Sequence, residues 1–430
     1  MTSSRPRVLV IAEAANPEWV SVPLVGWSLA SALRRHADVH IVTQSRNRDA
    51  FLRAGLVEGQ DFTSIDSEAV AAPLYRLASL LRMGQGKGWT MVTAIAGLAY
   101  PYFERLVWKQ FGPAIRAGDY DIVHRVTPLS PTIASSLAPK VAAAGVPFVL
   151  GPLNGGVPWP AGFDAERRRE REWLSYVRGA YKLNPAHRRM LRACALILAG
   201  SRHTASEIPA AYQDKVVFLP ENAVDPARFN LIAQQGAEGP LRGCFVGRLV
   251  PYKGPDMLLA AAAPLARDGR LVLDIVGDGP MMEGLREQAR GLGIADAVTF
   301  HGNLPHDRVQ EVLASVHLLT FPSIREFGGG VVLEAMALGV VPMVVDYAGP
   351  GELVTEATGY LVPIGTREQI IDRLAEALAQ VEADRSPLPI KAQAARAQVH
   401  RDFTWDAKAA RIVGLYDRLL TDAPRAALSA

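Results

Sequence analysis

Glu326 and Glu334 have seven residues between them in the stretch REFGGGVVLEAMALG, among them Gly328, Gly329 and Gly330. Each of these residue types has a chemical use. A carboxylate accepts two hydroxyls side by side, as a sugar diol presents them. Glycine amides at a helix N-terminus are unpaired and sit at the positive end of the macrodipole, so they receive an anion such as phosphate. A sugar joined to a phosphate satisfies both kinds of group at once. Upstream, Arg248 and Lys253 lie in VGRLVPYKG. Arginine clamps two phosphate oxygens in a fork and lysine supplies a point charge, which suits a leaving diphosphate that gains negative charge.

These groups need a frame. Pro322 and the glycines mark a strand end and a loop, after which VVLEAMAL reads as a buried helix. That puts Glu326 in a strand-end loop and Glu334 about one turn into the helix. RGCFVGRL, RLVLDIVGDG, AVTFHG, HLLTFPS and VPMVV read as strands of the same half, each followed by a helix or loop. Gly277 and Gly279 of GDGP then make a strand-to-helix turn. In the first half RVLVIAEA, DVHIVTQ, DIVHRV, PFVLGP, ALILAGS and KVVFLPE are strands, and VGWSLASALRR is a helix. Alternating strands and helices in both halves predict two doubly wound parallel sheets. The length of 430 residues exceeds one core and fits two domains. A polar stretch near 228–240 reads as the linker.

Several neighbouring segments, in order, resemble the signature of the retaining glycosyltransferases of family 4. These are Glu326-x7-Glu334 with EAMALG, VGRLVPYKG, IVGDGP, TFHGNLP and LPENAVDPARF, the last with Ala223 where glycine is usual. They span about 130 residues. The resemblance implies a GT-B fold: two Rossmann-like doubly wound domains facing a cleft, with the C-terminal helix crossing back to the N-terminal domain. It implies an acceptor domain over 1–222 with 403–425, and a nucleotide-sugar domain over 240–402. It assigns the diphosphate to Arg248 and Lys253, the transferred sugar to Glu326 and the amides from Phe327 to Gly330, and the ribose diol to Glu334. Gly247, Gly277 and Gly279 are expected to leave room for the nucleotide. The family works without a metal and without a carboxylate nucleophile, so no cofactor is expected beyond the nucleotide-sugar co-substrate.

The first half matches more loosely. Its loop after the first strand, EAANPEWVSVPLVGW, has Gly26 as its lone glycine, where many relatives have two adjacent ones. Glu13 and Asn16 in that loop, and His124 at the end of DIVHRV, are the acceptor-side candidates, with a core histidine as the other reading of His124. In GPLNGGVPWP, Asn154 falls where many relatives carry a histidine that contacts the donor sugar. Asparagine can bond a sugar but adds no charge.

Residues 1–220 hold 26 Lys and Arg against 17 Asp and Glu, while the remaining 210 hold 20 against 26. A basic first half points to an anionic partner. The insertion at 66–118 carries Trp89, Tyr100, Tyr102, Phe103 and Trp108 with Arg76, Arg82, Lys87, Arg105 and Lys109, a mixture that suits a lipid surface. The N-terminal stretch lacks a signal-peptide run and no segment is apolar over a membrane span. Cys194 and Cys244 have no metal-ligand spacing. The expectation is a cytoplasmic protein at the inner face of the plasma membrane, acting on a glycan or lipid-linked acceptor in exopolysaccharide or lipopolysaccharide synthesis. Mild charge and no recognition element argue against nucleic acid. A phosphorylase needs a longer chain. A catalytically weak nucleotide-sugar-binding partner is the reading from another class.

Overall fold

The computed structural model describes residues 5–69, 88–164, 167, 178–236 and 238–422. The chain divides into two compact units. The first comprises Met1–Gly155, Trp173–Glu221 and Lys408–Ala430, and the second Gly156–Glu172 and Asn222–Ala407.

In the first unit β1 (Arg7–Ala12), β2 (Asp38–Gln44), β3 (Phe62–Ile65), β4 (Ile122–Thr127), β5 (Phe148–Leu153), β6 (Cys194–Ala199) and β7 (Val216–Phe218) form one sheet in the order β3-β2-β1-β4-β5-β6-β7. Every pairing is parallel. Central strands such as RVLVIA and FVLGPL are continuous apolar runs, as a sheet covered on both faces requires. Helix α1 (Val22–His36) returns the chain from β1, and α2 (Gly88–Ala117) packs Tyr100, Phe103, Val107, Phe111 and Ile115 into the core with Leu9, Val123 and Phe148. Tyr100 and Phe103 are therefore core residues and not part of a lipid-facing surface. Trp108 is partly buried, its ring approached by Arg116 and Lys140 at 5.2 and 5.7 Å. Arg76, Arg82, Lys87 and the side chain of Trp89 lie outside the described residues.

The second unit holds β8 (Leu241–Val246), β9 (Leu271–Val276), β10 (Val298–Gly302), β11 (Leu318–Phe321), β12 (Val341–Asp346) and β13 (Tyr360–Pro363) in the order β10-β9-β8-β11-β12-β13, again all parallel. Both units thus follow the doubly wound order 3-2-1-4-5-6, with the first unit adding a seventh strand. The edge strands β3 and β13 are absent from the pattern reading. Each has four residues and is a strand because a neighbour offers its edge.

Two boundaries differ from expectation. The second unit begins at Asn222 instead of 240, because Phe229 and Ala233 are buried in its core and the Ala233 N–H donates to the Leu338 carbonyl at 2.8 Å. Residues 156–172 also belong to the second unit. The last helix, α3 (Trp405–Asp422), belongs from Lys408 onward to the first unit, where Tyr416 is fully buried against His124. Among the described residues, no helix is long and apolar enough to cross a membrane.

Candidate functional site in the second unit

Strand order reverses between β8 and β11, which lie side by side while their crossovers run in opposite directions. Ligands of open α/β sheets bind outside the carboxyl ends of such strands. The loop leaving β8 carries Gly247, Arg248 and Lys253, and the loop leaving β11 carries Glu326, Phe327 and the three glycines.

The two loops are stitched to each other. The Ile324 N–H and Ser323 Oγ donate to the Tyr252 carbonyl at 2.9 and 3.3 Å. Across that seam Lys253 Nζ pairs with Glu326 Oε2 at 2.8 Å, and the ammonium also stands 5.2 Å from the Phe321 ring centre. Lys253 and Glu326, which the resemblance assigned separately to phosphate and sugar, are thus one ion pair with both partners mostly buried. Arg248 is exposed, and among the described residues it has no ion pair. The site therefore has one exposed cation and one cation–carboxylate pair.

Glycines bring backbone close to backbone here. A Cβ on Gly277 would lie 2.0 Å from the Gly247 carbonyl oxygen, and one on Gly279 would lie 2.4 Å from that of Leu249. The β9 turn thus packs directly on the β8 loop, sealed by Leu249 N–H donating to the Asp278 carbonyl at 2.9 Å. Gly329 has φ +56°, the left-handed conformation glycine adopts at no steric cost, and caps helix α4 (Gly330–Leu338). A Cβ on Gly328 would meet Asn222 Nδ2 at 2.2 Å. The pattern reading singled out neither Asn222 nor Gly349, whose added Cβ would lie 2.0 Å from the Phe327 carbonyl oxygen. Asn222 lies in the LPENAVDPARF segment, but its contact, like that of Gly349, is with distant chain.

Helix α4 is apolar on nearly every face, so it is buried, and Glu334 is carried into that setting. Burial pushes its carboxyl up to about 7, against the pull of Arg228. No hydrogen bond from the described residues reaches this carboxylate. His301 lies within β10 and bonds Asp274 at 2.7 Å, which ties two strands together.

The first-unit candidates are placed differently. His124 is fully buried, with Nδ1 bonded to Tyr416 Oη at 2.5 Å and Nε2 to the Gly151 carbonyl at 2.7 Å. Burial lowers its pKa to about 4, and both ring nitrogens are occupied, so His124 is a core histidine and not an acceptor contact. Asn16 is 2% exposed and shapes its loop by accepting the Glu18 N–H at 2.9 Å. Glu13 pairs with Arg46. Gly26 lets α1 touch the loop after β1: a Cβ there would lie 2.3 Å from the Ala14 carbonyl oxygen. Asn154 donates its amide to Glu221 Oε2 at 2.5 Å, and its N–H to the Leu129 carbonyl at 2.7 Å.

Residues 228–391 match the family model described as glycosyl transferases group 1. That match lies within the second unit. Among curated proteins the chain is similar to the D-inositol 3-phosphate glycosyltransferase of Streptomyces scabiei, 31% identical over 259 residues, which is 54% of this chain and 56% of that protein. It is also similar to the GDP-mannose-dependent alpha-(1-6)-phosphatidylinositol monomannoside mannosyltransferase of Mycobacterium tuberculosis, 34% identical over 39% of this chain and 45% of the relative. The chain spans about half the length of the curated relatives it matches. Among solved structures, Anabaena Alr3699/HepE in complex with UDP has a TM-score of 0.59 at 16% identity, covering 96% of this chain and 100% of that one. A glycosyltransferase from Rickettsia africae has 0.61 at 14% identity, covering 97% and 100%. At such identity the likeness concerns the fold, which is that of two Rossmann-like domains in GT-B glycosyltransferases.

Proposed function

We propose that the chain is a metal-independent retaining glycosyltransferase that takes a nucleotide-diphosphate sugar at the group 1 domain and passes the sugar to a glycan or lipid-linked acceptor. The observation that carries this reading is the Lys253–Glu326 pair on the two loops that leave β8 and β11 at the order reversal. Similarity to transferases of inositol phosphate and phosphatidylinositol mannoside supports a hydroxyl-rich acceptor.

In this mechanism the bond between the anomeric carbon and the diphosphate oxygen breaks, and the bonding electrons stay on the diphosphate. Arg248, Lys253 and the amides at the start of α4 stabilise that charge. The acceptor oxygen bonds the anomeric carbon on the face the diphosphate leaves, and its proton passes to a diphosphate oxygen. Glu326 holds sugar hydroxyls once the donor diphosphate competes for Lys253. Glu334, as the carboxylate, takes the ribose diol. The basic excess of the first half favours an acceptor bearing phosphate or lying at an anionic membrane, with a place in exopolysaccharide or lipopolysaccharide synthesis at the cytoplasmic face.

The test is calorimetric titration of UDP-, GDP- and ADP-sugars into wild type and Glu326→Ala. One donor should bind wild type and lose at least tenfold in the variant, and that donor should then be consumed with cell glycolipids present. Binding without consumption would favour the catalytically weak partner. No binding at millimolar donor would sink the transferase reading.

A further inference from the structure

The motif GPLNGGVPWP contributes more than Asn154. From Gly156 the chain joins the second unit, and Val157 and Trp159 contact the two loops that carry the ion pair. The Val157 carbonyl accepts from Arg325 Nε at 3.4 Å, and the Pro158 carbonyl accepts from Tyr347 Oη at 3.1 Å. The Arg325 guanidinium carbon lies 4.9 Å from the Trp159 ring centre, close enough for a cation–π contact. The same indole meets Tyr252 edge to face at 6.2 Å. Phe163, 2% exposed, then anchors the segment in a small cluster with Met257, Ile324, Val345 and Ile370.

Arg325 immediately precedes Glu326, and Tyr252 immediately precedes Lys253. One indole therefore touches the neighbour of each member of the ion pair. Lys253 and Glu326 are long side chains whose ordering costs rotamer freedom, and a site keeps its geometry when surrounding contacts lock it in advance. We propose that residues 157–163 brace the Lys253–Glu326 pair, with Trp159 as a positioning residue for recognition of the donor's sugar. The proposal rests on the donor-site reading for its functional half. Its structural half, the fixing of Lys253, stands apart from any ligand.

The experiment uses the full chain as wild type, Trp159→Ala, Trp159→Phe and Arg325→Met. The last two keep bulk while removing, respectively, the indole and the cation. First, acetylation of Lys253 by acetic anhydride is followed by peptide mass spectrometry, with circular dichroism to verify the fold. Loss of the brace should speed acetylation about fivefold in Trp159→Ala and in Arg325→Met, with Trp159→Phe near wild type, as loss of one cation–π contact implies. Second, UDP, GDP, UDP-glucose and GDP-mannose are titrated by calorimetry. Trp159→Ala should bind the bare diphosphate about threefold more weakly, because Lys253 is loosened, and the sugar-bearing form about tenfold more weakly, because Glu326 is loosened as well. A purely structural role would weaken both alike.

Acetylation at the wild-type rate in folded Trp159→Ala and Arg325→Met overturns the brace. So does an equal loss for diphosphate and donor. If Trp159→Ala does not fold, Arg325→Met decides in its place. Failure of wild type to bind any of the four nucleotides removes the donor-site reading, while the acetylation rates still decide whether the segment holds Lys253.

Discussion

The two units repeat the same sheet order, yet their reversal points are built to opposite ends. In the second unit the loops after β8 and β11 bring a cation and a carboxylate together at 2.8 Å over glycine-rich backbone, with Arg248 exposed beside them. In the first unit the corresponding strands are β1 and β4, and the polar groups there are turned inward. The Ala14 N–H donates to Thr127 Oγ1 at 3.0 Å, Asn16 is committed to its own loop, and Glu13 is paired with Arg46. The contrast teaches that a doubly wound sheet places a crevice but does not fill it. The second unit sets an ion pair and an exposed cation on its two loops, while the first commits its polar groups to loop shape.

The largest effect should come from Lys253→Ala. Removing a fixed cation from the leaving group should lower kcat/KM about 100- to 1000-fold, with the melting temperature nearly unchanged. A loss below tenfold in steady-state transfer would show that Arg248 and the amides suffice, and the contrast between the units would weaken.

Next is Gly277→Ala. The added methyl would meet the Gly247 carbonyl at 2.0 Å with φ at +127°, so stability should fall by about 3 kcal/mol in urea unfolding. Gly26→Ala, facing the Ala14 carbonyl at 2.3 Å, is its counterpart in the first unit. Only the Gly277 change should also impair donor binding in conditions where both variants stay folded.

Glu334 sharpens the comparison through pH. Its folded pKa is raised, to about 7, so the protonated form is favoured in the fold. The stability tied to this group is fullest below the ordinary carboxylate pKa and is lost as pH rises from there through about 7. Donor binding runs the other way, because a ribose diol needs the ionised carboxylate. Affinity should drop about tenfold per pH unit below 7 and level off above it. Calorimetry across that range should find the slope in wild type and none in Glu334→Gln.

The smallest effect at the donor site belongs to Asn16→Ala. Losing a buried loop-shaping side chain should cost about 1–2 kcal/mol of stability and leave donor affinity within about twofold. A folded Asn16→Ala protein that binds donor but has lost transfer would make Asn16 an acceptor ligand after all, contrary to its 2% exposure.

What the sequence determined by itself was local and chemical. Continuous apolar runs placed the central strands, because a sheet covered on both faces admits little else. The spacing of Glu326, the glycines and Glu334 marked a helix entry with carboxylates on either side, because glycine conformation and helix ends are written over a few residues. The tertiary structure alone decided the rest. It paired Lys253 with Glu326 across 73 positions and set Asn222 over Gly328. It brought Trp159 beneath Arg325 and Tyr252. It also buried His124 and Tyr100, whose sequence surroundings fit a site or a surface equally well. Such outcomes depend on which distant segments share a sheet edge, and no local propensity carries that information.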